Sequence, residues 1–231
     1  MTWSATILTL YPEMFPGPLG LSLLGKALQK KLWSLDARDI RDHGIGRHGT
    51  VDDTPAGGGP GMVMRADVAI AAIDAVPRAE RPLIYLSPRG RPLTQSRVRQ
   101  LADGPGAILF CGRFEGLDER AIEARRIEEI SLGDFVLAGG EIAAMALVEA
   151  AVRLIPGVLG DDASVADESF SAGLLEYPQY TRPQNVEGLA IPEVLNQGNH
   201  KEIAKWRKSQ AEALTRARRP ELWTHYEKSK R

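Results

Sequence analysis

Two short runs constrain this chain more than any other feature: Leu83-Ile84-Tyr85-Leu86 and Ala107-Ile108-Leu109-Phe110-Cys111. Neither alternates polar with apolar residues, as a strand with one wet face would. Each is also too short for a helix. Apolar runs of this length, bounded by turn residues, read as strands buried on both faces, the situation of a parallel sheet covered by helices. Ala5-Thr6-Ile7-Leu8-Thr9-Leu10 reads the same way, and residues 35–40 as a further strand. Helix-like patterns lie between and after them: residues 21–33, with Leu24, Ala27, Leu28 and Leu32 near one face; residues 64–76; and the Ala-rich residues 141–154, stopped by Pro156-Gly157. This alternation predicts an α/β fold with a mostly parallel sheet.

The rest of the chain is organised differently. Residues 41–61 are dense in Gly, Asp and Pro, and loops of that length are functional or disordered. Composition turns polar after Gly160, which predicts a domain over residues 1–160, a flexible linker over 161–172 and a mainly helical domain over 173–231, with Ile203, Trp206 and Leu214 among many charges. The net charge of −1 conceals an asymmetry: residues 200–231 hold ten Lys/Arg against four Asp/Glu. Such a segment is a candidate phosphate-binding surface, although charge blocks are more often solvated helix faces. At 43% hydrophobic and 26% charged residues the chain is not of the disordered class. No apolar run approaches the roughly 20 residues of a membrane helix. Met1-Thr2-Trp3-Ser4 lacks the basic region and apolar stretch of a secretory signal. The lone Cys111 excludes an intrachain disulfide, fits a cytoplasmic location, and reads as a small core residue rather than a nucleophile.

Gly44-Ile45-Gly46-Arg47-His48-Gly49 fits the GxGxxG pattern of a dinucleotide-binding turn. That motif needs a helix starting on the loop, so that its backbone N–H groups meet a pyrophosphate. The glycine- and proline-rich continuation to Gly61 prevents one. Three other glycine-bearing turns follow apolar strands: residues 86–90, 111–116 and 131–140. Ligands of parallel α/β sheets bind at the carboxyl ends of the strands, and glycine lets main chain approach a ligand closely. Together these turns would enclose an adenosine-sized molecule; separately they are ordinary tight turns. Arg153, Asp161, Asp162, Asp167 and Glu168 form a charged set near the predicted boundary, which by pattern alone is a solvated linker.

Several segments occur in a telling order: Val51-Asp52-Asp53-Thr54-Pro55, the run from Gly57 to Met62, Leu86-Ser87-Pro88-Arg89-Gly90, Cys111-Gly112-Arg113-Phe114-Glu115-Gly116, Gly133-Asp134-Phe135-Val136-Leu137, Ile155-Pro156-Gly157-Val158-Leu159-Gly160, Tyr177-Pro178-Gln179-Tyr180-Thr181-Arg182-Pro183, and Gly198-Asn199-His200 before Trp206-Arg207. In this order they resemble the bacterial tRNA (guanine-37-N1)-methyltransferases over nearly the whole chain. The resemblance implies a SPOUT-type parallel sheet with a deep trefoil knot over about residues 83–140, a small helical C-terminal domain, and a homodimer. It implies S-adenosylmethionine as cofactor, bound by Tyr85, Leu86, Ser87, Pro88, Gly112, Glu115, Gly116, Leu132, Gly133, Asp134, Phe135, Val136, Leu137, Gly139 and Gly140. It implies tRNA with G at position 37 as partner, contacted by Asp52, Gly57, Gly58, Gly59, Arg182, His200, Lys201, Lys205, Arg207 and Lys208. A divalent cation assists the family, but the four histidines here form no metal-ligand spacing.

The chemistry has its own requirements. Guanine N1 is a poor nucleophile while protonated, so its methylation needs a general base within hydrogen-bond reach. Negative charge then grows on O6, where an arginine is well suited to stabilise it. The family's arginine maps onto Arg153. Its Asp-Ser-Phe pattern is Asp167-Glu168-Ser169-Phe170 here, which makes Glu168 the expected base and Asp167 the alternative. Ala56 stands where the family has an aromatic residue and Ala143 where it has proline. Two other readings stay open on the sequence: a knotted methyltransferase of another RNA, and a non-catalytic RNA-binding scaffold.

Overall fold

The computed structural model describes residues 2–160 and 168–230. The chain divides into two compact units, Met1–Gly160 and Asp161–Arg231. The N-terminal unit is built on a five-stranded, wholly parallel sheet in the order β2-β1-β6-β5-β7, from β1 (Trp3–Thr9), β2 (Trp33–Asp39), β5 (Leu83–Pro92), β6 (Gly106–Phe110) and β7 (Glu128–Ser131). Successive side chains on a strand point to opposite faces, and the strands sort accordingly. Ile7, Ile84, Leu86, Leu109 and Ile130 join one apolar cluster with α1 (Ser22–Gln29), α3 (Gln95–Ala102) and α5 (Glu141–Val152). Leu8, Leu83, Tyr85, Ile108 and Phe110 join the other with α2 (Ala66–Asp74) and α4 (Glu119–Arg125). Helices therefore cover both faces, which explains why the strands lack polar alternation.

Local differences from the sequence expectation have identifiable causes. Trp33 opens β2 instead of ending a helix. Lys31, in the left-handed region at φ 60°, stops α1 before it, and the indole is fully buried, edge-on to Trp3 with centroids 6.5 Å apart. The expected helix over residues 64–76 is shorter, because Val63–Met64 (β4) pairs antiparallel with Asp52–Asp53 (β3). The segment expected as an open loop, residues 41–61, thus supplies one strand of that hairpin, β3, and holds an Ile45–Thr50 bridge. No helix starts at Gly49; the next one is α2 at Ala66, so the loop lacks the helix a dinucleotide turn requires.

The C-terminal unit is less helical than expected. Its α-helices are α6 (His200–Arg218) and α7 (Pro220–Ser229), among the described residues. Before them run turns, a short helical turn at Glu193–Asn196 and the hairpin of β8 (Asn185–Val186) with β9 (Leu189–Ala190). Pro178, Pro183 and Pro192 remove backbone donors there. The Asn199 side chain, accepting from the Glu202 N–H at 3.3 Å, starts α6. Among the described residues no helix is long and apolar enough to cross a membrane.

Candidate functional site

Strands β6, β5 and β7 are neighbours, so the turns that follow them meet at one edge of the sheet. They wall a cavity of about 370 Å³, within the usual range of ligand sites. The first wall is a bulge in β5. Leu86 and Arg91 both register with Ile130, and the residues between leave the ladder. The second wall leaves β6 at Cys111. It is stitched to β4 by hydrogen bonds from Glu115 N to Met62 O (2.9 Å) and Met64 N to Gly116 O (2.8 Å). The third follows β7, where Ser131 Oγ donates to Gly133 O and accepts from Gly133 N, both at 3.1 Å. Gly140 N donates to Gly112 O at 3.0 Å, tying the third turn to the second.

Every residue expected to bind the cofactor lines this cavity, except Asp134. Tyr85 forms part of the floor, edge-on to Phe110 at 6.2 Å. Burial pushes its phenol up from the ordinary range. Burial likewise pushes the Cys111 thiol well up, with Glu141 adding to the effect, so the thiol is a core group. The wall also includes Arg89, Arg113 and Phe114, which the sequence reading did not assign. Arg89 donates to Glu119 (2.9 Å) and Glu129 (3.1 Å), and its own pKa is held up by the Glu119 hydrogen bond first.

The residues expected to contact RNA fall in both units. Asp52 lies in β3, opposite Met64, and so connects through β4 to the second wall. Gly57, Gly58 and Gly59 form an exposed turn with positive φ. Gly61 ends that turn at φ +84°, which strains any other residue, and a Cβ there would lie 2.4 Å from Glu115 Oε1 and push that side chain aside. In the C-terminal unit, His200, Lys201, Lys205, Arg207 and Lys208 all lie on α6. Arg207 covers the Tyr177 ring at 4.8 Å, and Arg182 shares a hollow with Tyr180, Trp206 and Arg207.

Of the residues expected to carry chemistry, Arg153 caps the C-terminal end of α5. Glu168 lines a cavity of about 440 Å³ in the C-terminal unit together with His200, Arg207 and Lys208. Asp161, Asp162 and Asp167 lie outside the described residues. Among those described, no three His, Cys, Asp or Glu side chains gather as a cation site.

The sequence pattern of the family described as tRNA (Guanine-1)-methyltransferase TrmD matches residues 3–225. The chain belongs to that family. A tRNA (guanine-N(1)-)-methyltransferase of Rhodopseudomonas palustris (strain TIE-1) is 68% identical over 224 residues, spanning 96% of this chain and 90% of its own. The protein of the same name from Nitrobacter winogradskyi is 65% identical, spanning 96% of this chain and 94% of its own. That from Chelativorans sp. (strain BNC1) is 61% identical over 232 residues, spanning 100% and 99%. Membership of the tRNA (guanine-1)-methyltransferase family thus extends over both units, the cavity included.

Proposed function

We propose that this protein is an enzyme that transfers a methyl group from S-adenosylmethionine to N1 of guanine 37, beside the anticodon of tRNA, giving 1-methylguanosine. The observation that carries the reading is the cavity: three turns from neighbouring parallel strands enclose it, in a chain whose family is named for this methylation. S-Adenosylmethionine supplies a methyl group already activated on sulfur. The main-chain groups of the three turns bind and orient it for in-line approach. Glu168, with Asp167 as the alternative, takes the proton from N1. Arg153 stabilises the charge that develops on O6. The basic side chains of α6, with Arg182, hold phosphates of the RNA, and the target base leaves its stack to reach the cavity. No step is assigned to a divalent cation.

The same reading includes a trefoil knot over residues 83–140, a cofactor domain over 1–160, a linker over 161–172, a tRNA-binding domain over 173–231, and action in the cytoplasm as a homodimer. The run of exposed apolar side chains Phe135, Val136, Leu137 and Ile142, beside the cavity, supports the dimer, since apolar surface of that kind marks an interaction site. The deciding experiment is methyl transfer from labelled S-adenosylmethionine to two transcripts, one with G and one with A at position 37. Label recovered as 1-methylguanosine from the G37 transcript alone is the expected result. Label in neither would leave a cofactor-binding scaffold and overturn the assignment.

A further inference from the structure

Glu141, the first residue of α5, is 1% exposed. A carboxylate so far from water must be paired. Thr9 Oγ1 at the end of β1 donates to its Oε1 at 2.7 Å. Arg113 Nε donates to the same oxygen at 3.2 Å, and Arg113 Nη2 lies 2.9 Å from Oε2. Glu141 does not itself line the cofactor cavity; Arg113 does. The Arg113 guanidinium spans two walls. It lies over the Tyr11 ring at 4.4 Å, donates to Ala138 O at 3.4 Å, and presses so closely on Gly139 that a Cβ there would come within 2.2 Å of Nε.

The charged side chains in the wall are Arg89, Arg113 and Glu115. Both cations are answered by carboxylates: Arg89 by Glu119 and Glu129, Arg113 by Glu141. This arrangement matters for a methyl donor of the sulfonium class. Its positive charge is permanent, whereas the thioether product that remains after transfer is smaller by one methyl group and one positive charge. An unanswered guanidinium in the wall would repel the donor and leave the product almost unaffected, and in a poorly solvated site that repulsion acts over several ångströms.

We infer that Glu141 is a positioning residue that sets the charge balance of the cavity. By holding and neutralising Arg113 it admits a sulfonium ligand that a bare guanidinium would repel, with little effect on the thioether product. The inference rests on the S-adenosylmethionine reading above. Calorimetric titration of the full-length protein with S-adenosylmethionine and with S-adenosylhomocysteine tests it. Glu141→Gln keeps the shape and removes the charge; it should raise the ratio of the two dissociation constants, donor over product, about tenfold, or about 1.4 kcal/mol. Arg113→Gln should move the ratio the opposite way, and it carries the test if the first variant does not fold. The double variant should restore the wild-type ratio. Equal weakening of both ligands in Glu141→Gln, or a ratio that stays put, would reduce Glu141 to a structural prop and overturn the inference. Wild-type protein binding neither ligand would instead sink the methyltransferase reading.

Discussion

The two units of the chain achieve order by different means. In the N-terminal unit, apolar clusters fill both faces of the sheet, and Trp33, Phe110 and Leu109 are wholly withdrawn from water. In the C-terminal unit the described core is Leu174, Ala211 and Tyr226, flanked by Tyr177 and Trp223. Directional contacts take over there. Thr215 Oγ1 bridges Ala211 O (2.7 Å) and Leu175 N (2.9 Å), Glu212 accepts from Tyr226 Oη and Lys230 Nζ (both 2.9 Å), and Arg216 lies over Trp223 at 4.3 Å. Apolar burial is non-directional and is not screened by salt, whereas surface ion pairs are screened and individually weak. A unit that presents cations to a polyanion keeps its long side chains at the surface and has less apolar area to withdraw. The contrast separates a scaffold that defines its cavity by packing from a unit whose charged surface is its proposed working part.

The sharpest way to break that division is through Glu168, which places the proposed chemistry in the sparsely packed unit. Glu168→Gln should lower single-turnover methyl transfer by about 10²–10⁴-fold while tRNA remains bound in a filter assay. Near-normal rates would shift the role to Asp167 or to neither residue, and the matching Asp167→Asn variant would then decide whether the C-terminal unit has binding alone. Next in size is Arg153→Ala, expected to cost about 2.7–4 kcal/mol of transition-state stabilisation with the KM for S-adenosylmethionine unchanged. A rise in that KM without loss of kcat would make Arg153 part of the cofactor site. Leu174→Ala should destabilise the C-terminal unit by about 2 kcal/mol, the low end for a buried leucine because the site borders solvent. Urea unfolding followed by tryptophan emission should show that transition moving alone, and a common shift of both units would erase the contrast.

The smallest effect belongs to Glu212. Its hydrogen bond from Lys230, assisted by that from Tyr226, holds the carboxyl below the usual glutamate range. A depressed carboxyl contributes stability above its unfolded pKa, and that contribution is lost as pH falls through the folded value. Glu212→Gln should therefore lower the melting temperature of the C-terminal unit slightly at neutral pH and not at all in strong acid. A difference that persists in acid would assign the effect to packing.

These differences also explain how much was legible beforehand. The parallel sheet could be read because β5 and β6 are apolar on both faces, a signal contained within five residues. The three turns of the cavity stood out because they carry glycine after strands, but the residues alone left them equally readable as ordinary tight turns, and the family resemblance joined them into one site. Glu141 was missed for a physical reason: its partners Thr9 and Arg113 lie 132 and 28 positions away, so in sequence it looks like any acidic residue opening a helix. Arg113 stands within the glycine-bearing run 111–116, but nothing local reveals that its charge is answered from behind the wall. The hairpin of β3 and β4 is too short to show a period. The mainly helical reading of residues 173–231 rests on Ile203, Trp206 and Leu214, all within α6, whereas the prolines before Asn199 decide the backbone there.

The bulge in β5 has a consequence for how this site can change. Leu86 and Arg91 sit opposite the same residue, Ile130, so the chain leaves the sheet and returns to it at one rung. The excursion is closed at its base, and its length is uncoupled from the register of every other strand. Residues inserted between those two anchors would reshape the rim of the cavity while the hydrogen-bond ladder keeps its alignment. An enlarged methyl-donor analogue would be accommodated by lengthening this excursion ahead of Gly90, which must stay glycine because a Cβ there would lie 2.4 Å from Ile130 N.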